Sequence, residues 1–452
     1  MSTALVILAA GKGTRMNSDL PKVLHQIAHA PLLVHAMRAG SALAPARNIV
    51  IAGHGADLVD AAARAYDDTA EVILQTEQLG TGHAVLQAKE ALSDFKGDVI
   101  VLYGDTPLIR PETLEAMSAA RDTYDVVVLG FEAADPGRYG RLVVSDGGAL
   151  DRIVEYKDAT DEERGINLCN SGVICASSDV LFSLLSAVGN DNAAGEYYLT
   201  DIIGLARARG LTATAVTCDE AETLGVNSRV ELAAAEAAFQ TRARQTALED
   251  GITLPAPETV HFAYDTIVGR DCIIEQNVVF GPEVTIESGA HIRAFCHLEG
   301  CHVSQRAIVG PYARLRPGAE LAEDVRVGNF CEVKNAQIEA GAKVNHLSYI
   351  GDATIGPRSN IGAGTITCNY DGVFKHHTEV GRDAFIGSNT MLVAPVKIGN
   401  EAMTGSGSVI TSDVPDGALA LGRAKQANKA GLAVKLFEML TSKKRKQNEE
   451  AE

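Results

Sequence analysis

The fold is decided by a stretch between residues 303 and 333, which reads VSQRAIVGPYARLRPGAELAEDVRVGNFCEV. An aliphatic residue returns at every sixth position of this stretch, at Val303, Val309, Leu315, Leu321, Val327 and Val333. The same period extends outward in both directions, from Val268 to Ile410, and glycine often follows the aliphatic residue. A helix repeats its apolar positions about every 3.6 residues and a half-buried strand about every two, so neither accounts for the pattern.

A period of six indicates a parallel β-helix of hexapeptide repeats, in which each six-residue face gives one side chain to a central column. The period slips after Leu298, Val333 and Ile350, and this spacing places each slip at the same corner of a three-sided coil. Between Thr367 and Val380 the interval is longer, which predicts a loop that leaves the coil and returns to it. A run of ordinary short strands would not keep this phase for so long.

Length and composition limit the class of protein. A chain of 452 residues has room for roughly two or three domains. Its net charge of −18 argues against a general nucleic-acid binder and against an anionic membrane surface as a partner. No apolar run reaches the ~18 residues of a membrane span, and the run at 5–10 is too short for a signal peptide. Eight scattered cysteines without a framework indicate a reducing cytoplasm.

The first half alternates strand-like and helical segments. Continuous aliphatic runs predict strands at 4–9, 48–52, 71–75, 98–103 and 125–131. Helical patterns predict helices at 22–42, 56–66, 81–91 and 111–121. This alternation is typical of a doubly wound, Rossmann-like α/β sheet, whose ligands bind beyond the carboxyl ends of the strands.

A helix is predicted to connect the two halves. Ser228 and Glu231 have the spacing of a capping box, and the alanine-rich run that follows favours helix. We therefore predict an α/β domain at 1–228, a helical linker at 229–250 and a β-helix domain at 251–452. Within the last of these, 424–440 should form an amphipathic helix and 443–452 a charged, disordered tail.

The loop after the first strand, LAAGKGTRM from Leu8 to Met16, has the composition of a phosphate-binding loop. Glycines let backbone N–H groups approach a phosphate, and Lys12 and Arg15 add positive charge. It is neither a P-loop nor a complete dinucleotide fingerprint, and a plain tight turn would look similar. Asp105 ends another hydrophobic strand, where a carboxylate either holds Mg²⁺ beside a nucleotide or caps the next helix.

The motifs of both halves resemble one family. The first half carries LAAGKGTRM, LPKVLH, QLGTGHA, YGDTPL, YGR, IVEYKDAT, GEYYLTD and GVN, which resemble the motifs of sugar nucleotidyltransferases. The second half adds ARLRPGAEL, VGNF, HLSYIGDA and NIGAGTITCNYDG. Over essentially its whole length the chain resembles the bacterial bifunctional UDP-N-acetylglucosamine pyrophosphorylases and glucosamine-1-phosphate N-acetyltransferases. The resemblance implies a nucleotidyltransferase domain followed by a left-handed β-helix that acts as the acetyltransferase.

This resemblance implies a uridylyl-transfer site in the first half. The nucleotide phosphates and the sugar phosphate would be held by Leu8, Ala9, Ala10, Gly11 and Lys22. Uracil would be bound by Gln75, Gly80 and Thr81. The sugar side would be lined by Tyr103, Gly104, Asp105, Gly140, Glu155, Asn170 and Asn227, with Asp105 and Asn227 also on Mg²⁺. The nucleophile is a phosphate oxygen that is already anionic, so catalysis reduces to in-line positioning and charge neutralisation.

The second half would acetylate a sugar amine. That reaction needs a base for the ammonium proton, and histidine, with an intrinsic pKa of ~6.5, suits it. The resemblance makes His346 the base. Glucosamine 1-phosphate would be held by Arg316, Lys334, Tyr349, Asn360, Asn369 and Tyr370. Acetyl-coenzyme A would be bound by Ala363, Ser388, Ser406 and Arg423, although Ser406 stands between glycines where the family has an alanine-rich stretch.

The resemblance also implies a cytoplasmic homotrimer whose acetyl-transfer sites are shared between subunits. Its partners would be UTP, glucosamine 1-phosphate, N-acetylglucosamine 1-phosphate and acetyl-CoA, and its product a precursor of cell-envelope polymers. One alternative is a single-site sugar-1-phosphate nucleotidyltransferase with a regulatory β-helix. Another is a scaffold whose coils only oligomerise a nucleotide-binding domain. His346, Lys334 and the loop with Asn369 and Tyr370 argue against the single-site alternative, because a purely regulatory coil would not need them.

Overall fold

The computed structural model describes residues 2–145 and 148–449. The chain divides into two compact units, Met1–Val268 with Gln276–Val284 and Gly269–Glu275 with Thr285–Glu452. The first unit includes the connector helix. The boundaries 1–228, 229–250 and 251–452 stay a prediction.

The first unit alternates strands and helices, as predicted. Its strands are β1 Thr3–Ala9, β2 Gln26–Ile27, β3 Ala30–Pro31, β4 Arg47–Ala52, β5 Glu71–Leu74, β6 Asp98–Tyr103, β7 Val126–Glu132, β8 Arg141–Val144, β9 Leu150–Val154, β10 Leu168–Ser177 and β11 Ala213–Cys218. Its helices are α1 Leu32–Ser41, α2 Ala56–Tyr66, α3 Thr81–Leu86, α4 Pro111–Ala120, α5 Asp161–Arg164, α6 Ser178–Leu185, α7 Asp201–Ala208 and α8 Arg229–Glu249.

The main sheet has the order β11-β7-β10-β6-β1-β4-β5. All neighbours on this path are parallel except β10, which runs antiparallel to β6 and β7. Along β1, Ala4, Val6 and Leu8 enter the core on one face and Leu5, Ile7 and Ala9 the core on the other. Burial on both faces is why this strand reads as an unbroken aliphatic run.

The helix predicted at 22–42 is wrong in its first part. Lys22–Leu24 forms a single 3-10 turn, β2 and β3 form a short hairpin, and α1 begins only at Leu32. Ala28 and His29 at the hairpin tip both have positive φ, of 46° and 67°. Consecutive positive φ values are the geometry of a tight hairpin turn, which usually calls for glycine or asparagine. The usual signal for that turn is therefore missing from the sequence.

The connector helix α8 begins as predicted, since the Ser228 side chain caps it by accepting from the Glu231 backbone N–H. The predicted strands at 4–9, 48–52, 71–75, 98–103 and 125–131 and the helix at 56–66 are also confirmed to within one residue at each end.

The coil consists of short strands. They are β12 Ile267–Val268, β13 Ile273–Ile274, β14 Val279–Phe280, β15 Val284–Ile286, β16 His291–Ile292, β17 His297–Leu298, β18 Cys301–Val303, β19 Ile308–Val309, β20 Arg314–Leu315, β21 Ala319–Leu321, β22 Arg326–Asn329, β23 Glu332–Ile338, β24 Lys343–His346, β25 Tyr349–Ile355, β26 Asn360–Ile361, β27 Ile366–Cys368, β28 Thr378–Val380, β29 Phe385–Ile386, β30 Met391–Val393, β31 Val396–Ile398, β32 Met403–Thr404, β33 Val409–Ile410 and β34 Leu419–Ala420.

Within the second unit these strands stack in parallel, one coil above the next. One face has the order β13-β16-β19-β22-β24-β26-β29-β32-β34. Its inward side chains form one register column, Ile274, Ile292, Val309, Val327, Val344, Ile361 and Ile386, and each is at most 2% exposed. The aliphatic residues of the six-residue period therefore form the core of the coil, and the predicted parallel β-helix is confirmed. Its left hand stays a prediction.

The C-terminal helix differs from its prediction. Helix α9 runs from Leu432 to Glu449 and so includes most of the segment expected to be disordered; residues 450–452 of the predicted tail lie outside the described residues. Lysine, glutamate and leucine favour helix, and this propensity outweighs the charge of the segment. Across the described ranges, no helix combines the length and apolarity needed to cross a membrane.

Candidate functional site

Three polar side chains predicted for the first site meet at the carboxyl end of the sheet. The Lys22 ammonium forms an ion pair with the Asp105 carboxylate and donates to Asn227 Oδ1 at 2.9 Å. Asp105 follows β6, and Asn227 immediately precedes the cap of α8. Lys22 reaches both because its segment is a turn rather than the expected helix. Asp105 and Asn227 therefore share one lysine, although they are far apart in sequence.

The loop after β1 folds against the stem of Lys22. A Cβ at Gly13, where φ is +59°, would lie 2.6 Å from Lys22 Cβ, so only glycine fits there. A Cβ at Gly11 would lie 3.9 Å from Lys22 Cε. The carbonyl of Ala10 accepts a hydrogen bond from Gln78 Nε2 at 2.7 Å. Gln78 opens the QLGTGHA motif but was not among the predicted site residues.

The residues predicted for uracil lie together at the end of β5 and the start of α3. Gln75 is buried, and its Nε2 donates to the carbonyl of Gly80 at 3.4 Å. Gly80 has a φ of +113°, and Thr81 Oγ1 accepts from the Leu199 backbone N–H at 3.1 Å. The carboxamide of Gln75 also contacts His83 Nδ1 at 3.0 Å.

The residues predicted for the sugar side form another cluster. The Asn170 backbone N–H donates to the carbonyl of Gly140 at 2.8 Å, and a Cβ at Gly140 would lie 3.5 Å from Glu155 Oε1. Burial, followed by the nearby carboxylates of Asp105 and Glu155, raises the pKa of the Tyr103 hydroxyl. Burial is also the main cause of the raised pKa of Glu155, which accepts from Thr200 Oγ1 at 3.2 Å. Thr200 was not predicted.

In the second unit, His346 is exposed rather than enclosed in the aliphatic core. Its Nδ1 lies 2.9 Å from Asn329 Oδ1, and the two residues are register partners on β22 and β24. Because the amide oxygen can only accept, this contact places the proton on Nδ1 and leaves Nε2 free to act as a base. Asn329 was not predicted, although it precedes His346 by one coil in the repeat.

Four predicted residues occupy the same corner on successive coils, His346, Ala363, Ser388 and Ser406. Backbone hydrogen bonds join these coils at the corner, with N···O distances of 3.1, 2.7 and 2.8 Å. At roughly 4.8 Å per coil, the row extends ~14 Å from the imidazole. Arg423 is exposed and follows β34.

A cluster of cations lies on another face. The neighbouring ammonium of Lys375, and then the guanidinium of Arg316, lower the pKa of Lys334. Arg316 donates to Glu332 Oε1 at 2.8 Å. Lys375 belongs to the loop between β27 and β28, which leaves the coil as predicted. The repeat could not reveal Lys375, because this loop lies outside the six-residue period.

The carboxylate of Asp352 binds the loop between β27 and β28 to the coil. Asn335 and Asn369 both donate to Asp352, and the pKa of Asp352 is lowered even though burial, the largest single influence, acts to raise it. The two amides and then the nearby lysines outweigh that burial. Tyr370 lies further along the loop and is exposed. Asn369 is thus tied to the coil beside the cation cluster.

The structure does not bring every predicted residue together within one chain. Tyr349 begins β25 beside Glu332, and its ring covers Gly351, where a Cβ would overlap the hydroxyl. Asn360 pairs with Lys343 and Phe385 on β26, in a different sheet from Lys334. Within one chain, Asn360 therefore lies on a different face of the coil from Arg316, Lys334 and Lys375.

The fold and the two sites define a class of protein, a nucleotidyltransferase α/β unit joined to a hexapeptide-repeat transferase coil. The family model of the MobA-like NTP transferase domain matches residues 5–171, and that of the bacterial transferase hexapeptide (six repeats) matches 377–412. Among solved structures, a UDP-glucose pyrophosphorylase complexed with UDP-glucose covers 54% of this chain at 19% identity, with a TM-score of 0.46. That likeness is too low to bear on function.

Relatives of known family match the whole chain. The bifunctional protein GlmU of Roseobacter denitrificans is 70% identical over 447 residues, which cover 99% of each chain. That of Ruegeria sp. is 68% identical over 444 residues, or 98% of this chain and 99% of the relative. The chain belongs to the family of bifunctional GlmU proteins. The predicted enzyme, a UDP-N-acetylglucosamine diphosphorylase joined to a glucosamine-1-phosphate N-acetyltransferase, is confirmed, and the single-site and scaffold alternatives are set aside.

Proposed function

We propose that the cluster around Lys22 carries the uridylyl transfer of this enzyme and the exposed His346 its acetyl transfer. The second half would acetylate glucosamine 1-phosphate, and the first would join the product to UTP and release pyrophosphate. The observation that carries this assignment is the pair of separate clusters, one at a sheet edge and one on the coil. Full-length variants with one cluster disabled at a time test it, since each should lose one reaction and keep the other.

In the first unit, the Gly11–Gly13 turn and Lys22 would hold the triphosphate, Gln75 and Thr81 the uracil, and the Glu155 side the sugar. The sugar phosphate oxygen attacks the α-phosphorus of UTP, and pyrophosphate leaves from the opposite side. Lys22 is suited to neutralise charge because it lies under the glycine turn. No proton transfer is required, so positioning and electrostatics account for the rate.

The residues present fit a magnesium ion. Asp105 and Asn227 aim oxygen atoms at a common point, and the Lys22 ammonium that bridges them marks a place where a cation is stable. Carboxylate and amide oxygens are ligands that Mg²⁺ accepts. Mg²⁺ would be held by Asp105 and Asn227 and would neutralise negative charge on the phosphates. Asn227 directly precedes the Ser228 cap, so its side chain is held at the start of α8.

In the second unit, Nε2 of His346 would take a proton from the ammonium of glucosamine 1-phosphate. The amine then attacks the thioester carbon of acetyl-CoA. As the N–C bond forms and the C–S bond breaks, the nitrogen gives up a second proton, which the departing thiolate of coenzyme A takes up. The row from Ala363 to Ser406 extends away from the imidazole along one corner, which suits a long pantetheine arm. The Arg423 guanidinium would hold a phosphate of the coenzyme.

Asn329 is a positioning residue for His346, and its hydrogen bond can be tested. In Asn329→Leu, the acetyl-transfer kcat should fall about tenfold, because the wrong tautomer of His346 becomes accessible. The pH profile of kcat should shift as well, which a purely structural role would not produce. Asn329→Asp, which keeps an acceptor at the same place, should restore most of the activity. Equal losses in both variants would contradict the role.

The cluster of Arg316, Lys334 and Lys375 would bind the phosphate of glucosamine 1-phosphate. Like charges held together are costly unless an anion neutralises them, so a phosphate should be strongly attracted. Lys375→Ala should raise the KM for glucosamine 1-phosphate about tenfold and leave the KM for acetyl-CoA unchanged. Lys397→Ala, which removes an exposed lysine on β31 that pairs with Glu379, serves as the control. A rise in both KM values would instead indicate a disordered loop.

A trimer would complete the acetyl-transfer site. Phe295, Tyr312, Phe330 and Leu347 form an exposed apolar ladder on consecutive coils, with ring centroids 4.8 and 5.3 Å apart along the aromatic part. The ladder ends next to His346, and such a ridge is typical of an interface. A neighbouring copy could supply Asn360, which one chain keeps away from Lys334.

Tyr312→Asp places a charge in the middle of the ladder and should shift the mass in solution from a trimer to smaller species. Acetyl transfer should fall with it while uridylyl transfer persists. Light scattering after gel filtration measures this, with Leu58→Asp, at an exposed position of α2, as the control. A trimer that survives Tyr312→Asp would place the interface elsewhere.

The compartment is proposed to be the cytoplasm. All eight cysteines lie in the described ranges and carry free thiols. Such thiols persist in a reducing compartment.

A further inference from the structure

A cavity of about 840 Å³ lies within the first unit, between α1, the segment that leads into α4, and α8. Three arginines line it, Arg38, Arg110 and Arg242, together with the rings of Phe239, Phe262 and Tyr264. Lys22, Asp105 and Asn227 do not line it, so it is distinct from the uridylyl-transfer site. Its volume is in the range of small-molecule sites, and it combines charge with aromatic surface.

Arg242 is the unusual residue of this cavity. Its side chain projects from α8 and donates to the carbonyl of Leu108 at 2.9 Å. Burial, and then the nearby charge of Arg110, lower its pKa. In the described ranges no carboxylate lies within 4.0 Å of its guanidinium. A partly buried cation beside another cation is unfavourable, and an anion between the two would relieve both.

The carboxylates near the cavity do not fill this need. Glu222 Oε2 already accepts from the Arg110 backbone N–H at 3.0 Å and from Thr113 Oγ1 at 2.7 Å. Its other oxygen is a loose 3.7 Å from Arg110 Nε. Glu112 and Asp250 also line the cavity, but both are exposed, so solvent screens them.

We propose that this cavity binds a small organic anion, whose phosphate or carboxylate group lies between Arg242 and Arg110 and whose ring-sized apolar part packs on Phe239 and Phe262. Guanidinium groups recognise planar or tetrahedral oxyanions through paired N–H donors, which a lysine would not provide. The aromatic wall makes an anion with an apolar body a better ligand than a bare inorganic ion.

An anion bound in the cavity should affect uridylyl transfer. This consequence rests on the role proposed above for Asp105. Arg242 holds the carbonyl of Leu108, three residues beyond Asp105, and the carbonyl of Asp105 accepts from the Val226 N–H at 2.8 Å. An anion that draws the guanidinium of Arg242 toward itself weakens its bond to Leu108. Uridylyl transfer should then slow, and acetyl transfer should not.

Calorimetric titration of the full-length enzyme with phenyl phosphate and with inorganic phosphate tests the site. UDP-N-acetylglucosamine and coenzyme A are present at saturation to occupy the two catalytic pockets. Phenyl phosphate should bind at least about tenfold more tightly than inorganic phosphate, because only it reaches the aromatic wall. Arg242→Met should weaken that binding by about tenfold or more. Arg64→Met, which removes an exposed guanidinium paired with Asp60 on α2, should not.

Arg110→Met provides a second test if Arg242→Met lowers the melting temperature, since Arg110 is partly exposed. The proposal is overturned if neither probe binds saturably in the millimolar range, or if the Arg242 and Arg64 variants bind alike. Failure of UDP-N-acetylglucosamine to bind would count against the proposed function, while Arg242-dependent binding of phenyl phosphate would still support the cavity. Arg242-dependent binding with unchanged uridylyl transfer would overturn the coupling alone.

Discussion

Replacing His346 with alanine is expected to lower the kcat of acetyl transfer by about 10²–10⁴-fold, the usual contribution of a general base. The imidazole is exposed on the coil, its Nδ1 is held by Asn329, and its Nε2 is left free to accept the ammonium proton. Without it, the amine of glucosamine 1-phosphate stays protonated and cannot attack the thioester. The measurement is release of coenzyme A from acetyl-CoA in the presence of glucosamine 1-phosphate, with uridylyl transfer assayed on the same preparation.

The control for this substitution is His297→Ala, which removes another exposed imidazole from a different coil of the same β-helix. It should leave both reactions near wild type. A second check is pH, since residual activity of His346→Ala should rise at alkaline pH, where the free amine forms without a base. If His346→Ala releases coenzyme A at the wild-type rate, the acetyl-transfer site lies elsewhere on the coil.

Replacing Asp105 with asparagine should lower uridylyl transfer by about 10²–10³-fold. The substitution keeps the shape of the side chain and one oxygen, but it removes the negative charge that pairs with Lys22 and would hold Mg²⁺. Lys22 is then left without its counterion at the point where charge must be balanced. Pyrophosphate release from UTP and N-acetylglucosamine 1-phosphate, measured over a range of Mg²⁺ concentrations, reports the effect.

Asp94→Asn is the matched control, because it makes the same change at a carboxylate that is 73% exposed. Chelation of Mg²⁺ should abolish uridylyl transfer by the wild type and leave acetyl transfer intact. Loss of both reactions in Asp105→Asn would argue for one coupled site rather than two. Full activity with an unchanged dependence on Mg²⁺ would remove Asp105 from the metal site.

The sequence predicted local structure best where a pattern repeats. The six-residue period predicted which large side chains line the coil, because each face turns its aliphatic residue inward, together with a small residue two positions earlier, as in Ala307 with Val309 and Ala313 with Leu315. The unbroken run of β1 predicted a strand buried on both sides, and the Ser228 cap marked the first turn of α8. These features depend on neighbours in the chain, so the chain alone carries them.

The two incorrect predictions of secondary structure, at 22–42 and in the C-terminal tail, have the same cause. The segment at 22–42 has helical periodicity, yet a hairpin turn at Ala28 and His29 interrupts it without glycine. That turn decides where Lys22 points. In the tail, charge suggested disorder where helix propensity prevailed as far as Glu449. Both cases required a choice between two local preferences of similar size.

By itself, the sequence determined the two-part architecture, the coil core and the residue types available for each reaction. Only the tertiary structure decided which of them meet. It brought Lys22 to Asp105 and Asn227, Asn329 to His346, and Lys375 to Lys334. It also revealed the cavity around Arg242, whose lining comes from several segments far apart in sequence. Local patterns record burial and turn geometry, whereas contacts between distant segments depend on how whole elements pack, which no short stretch of sequence encodes.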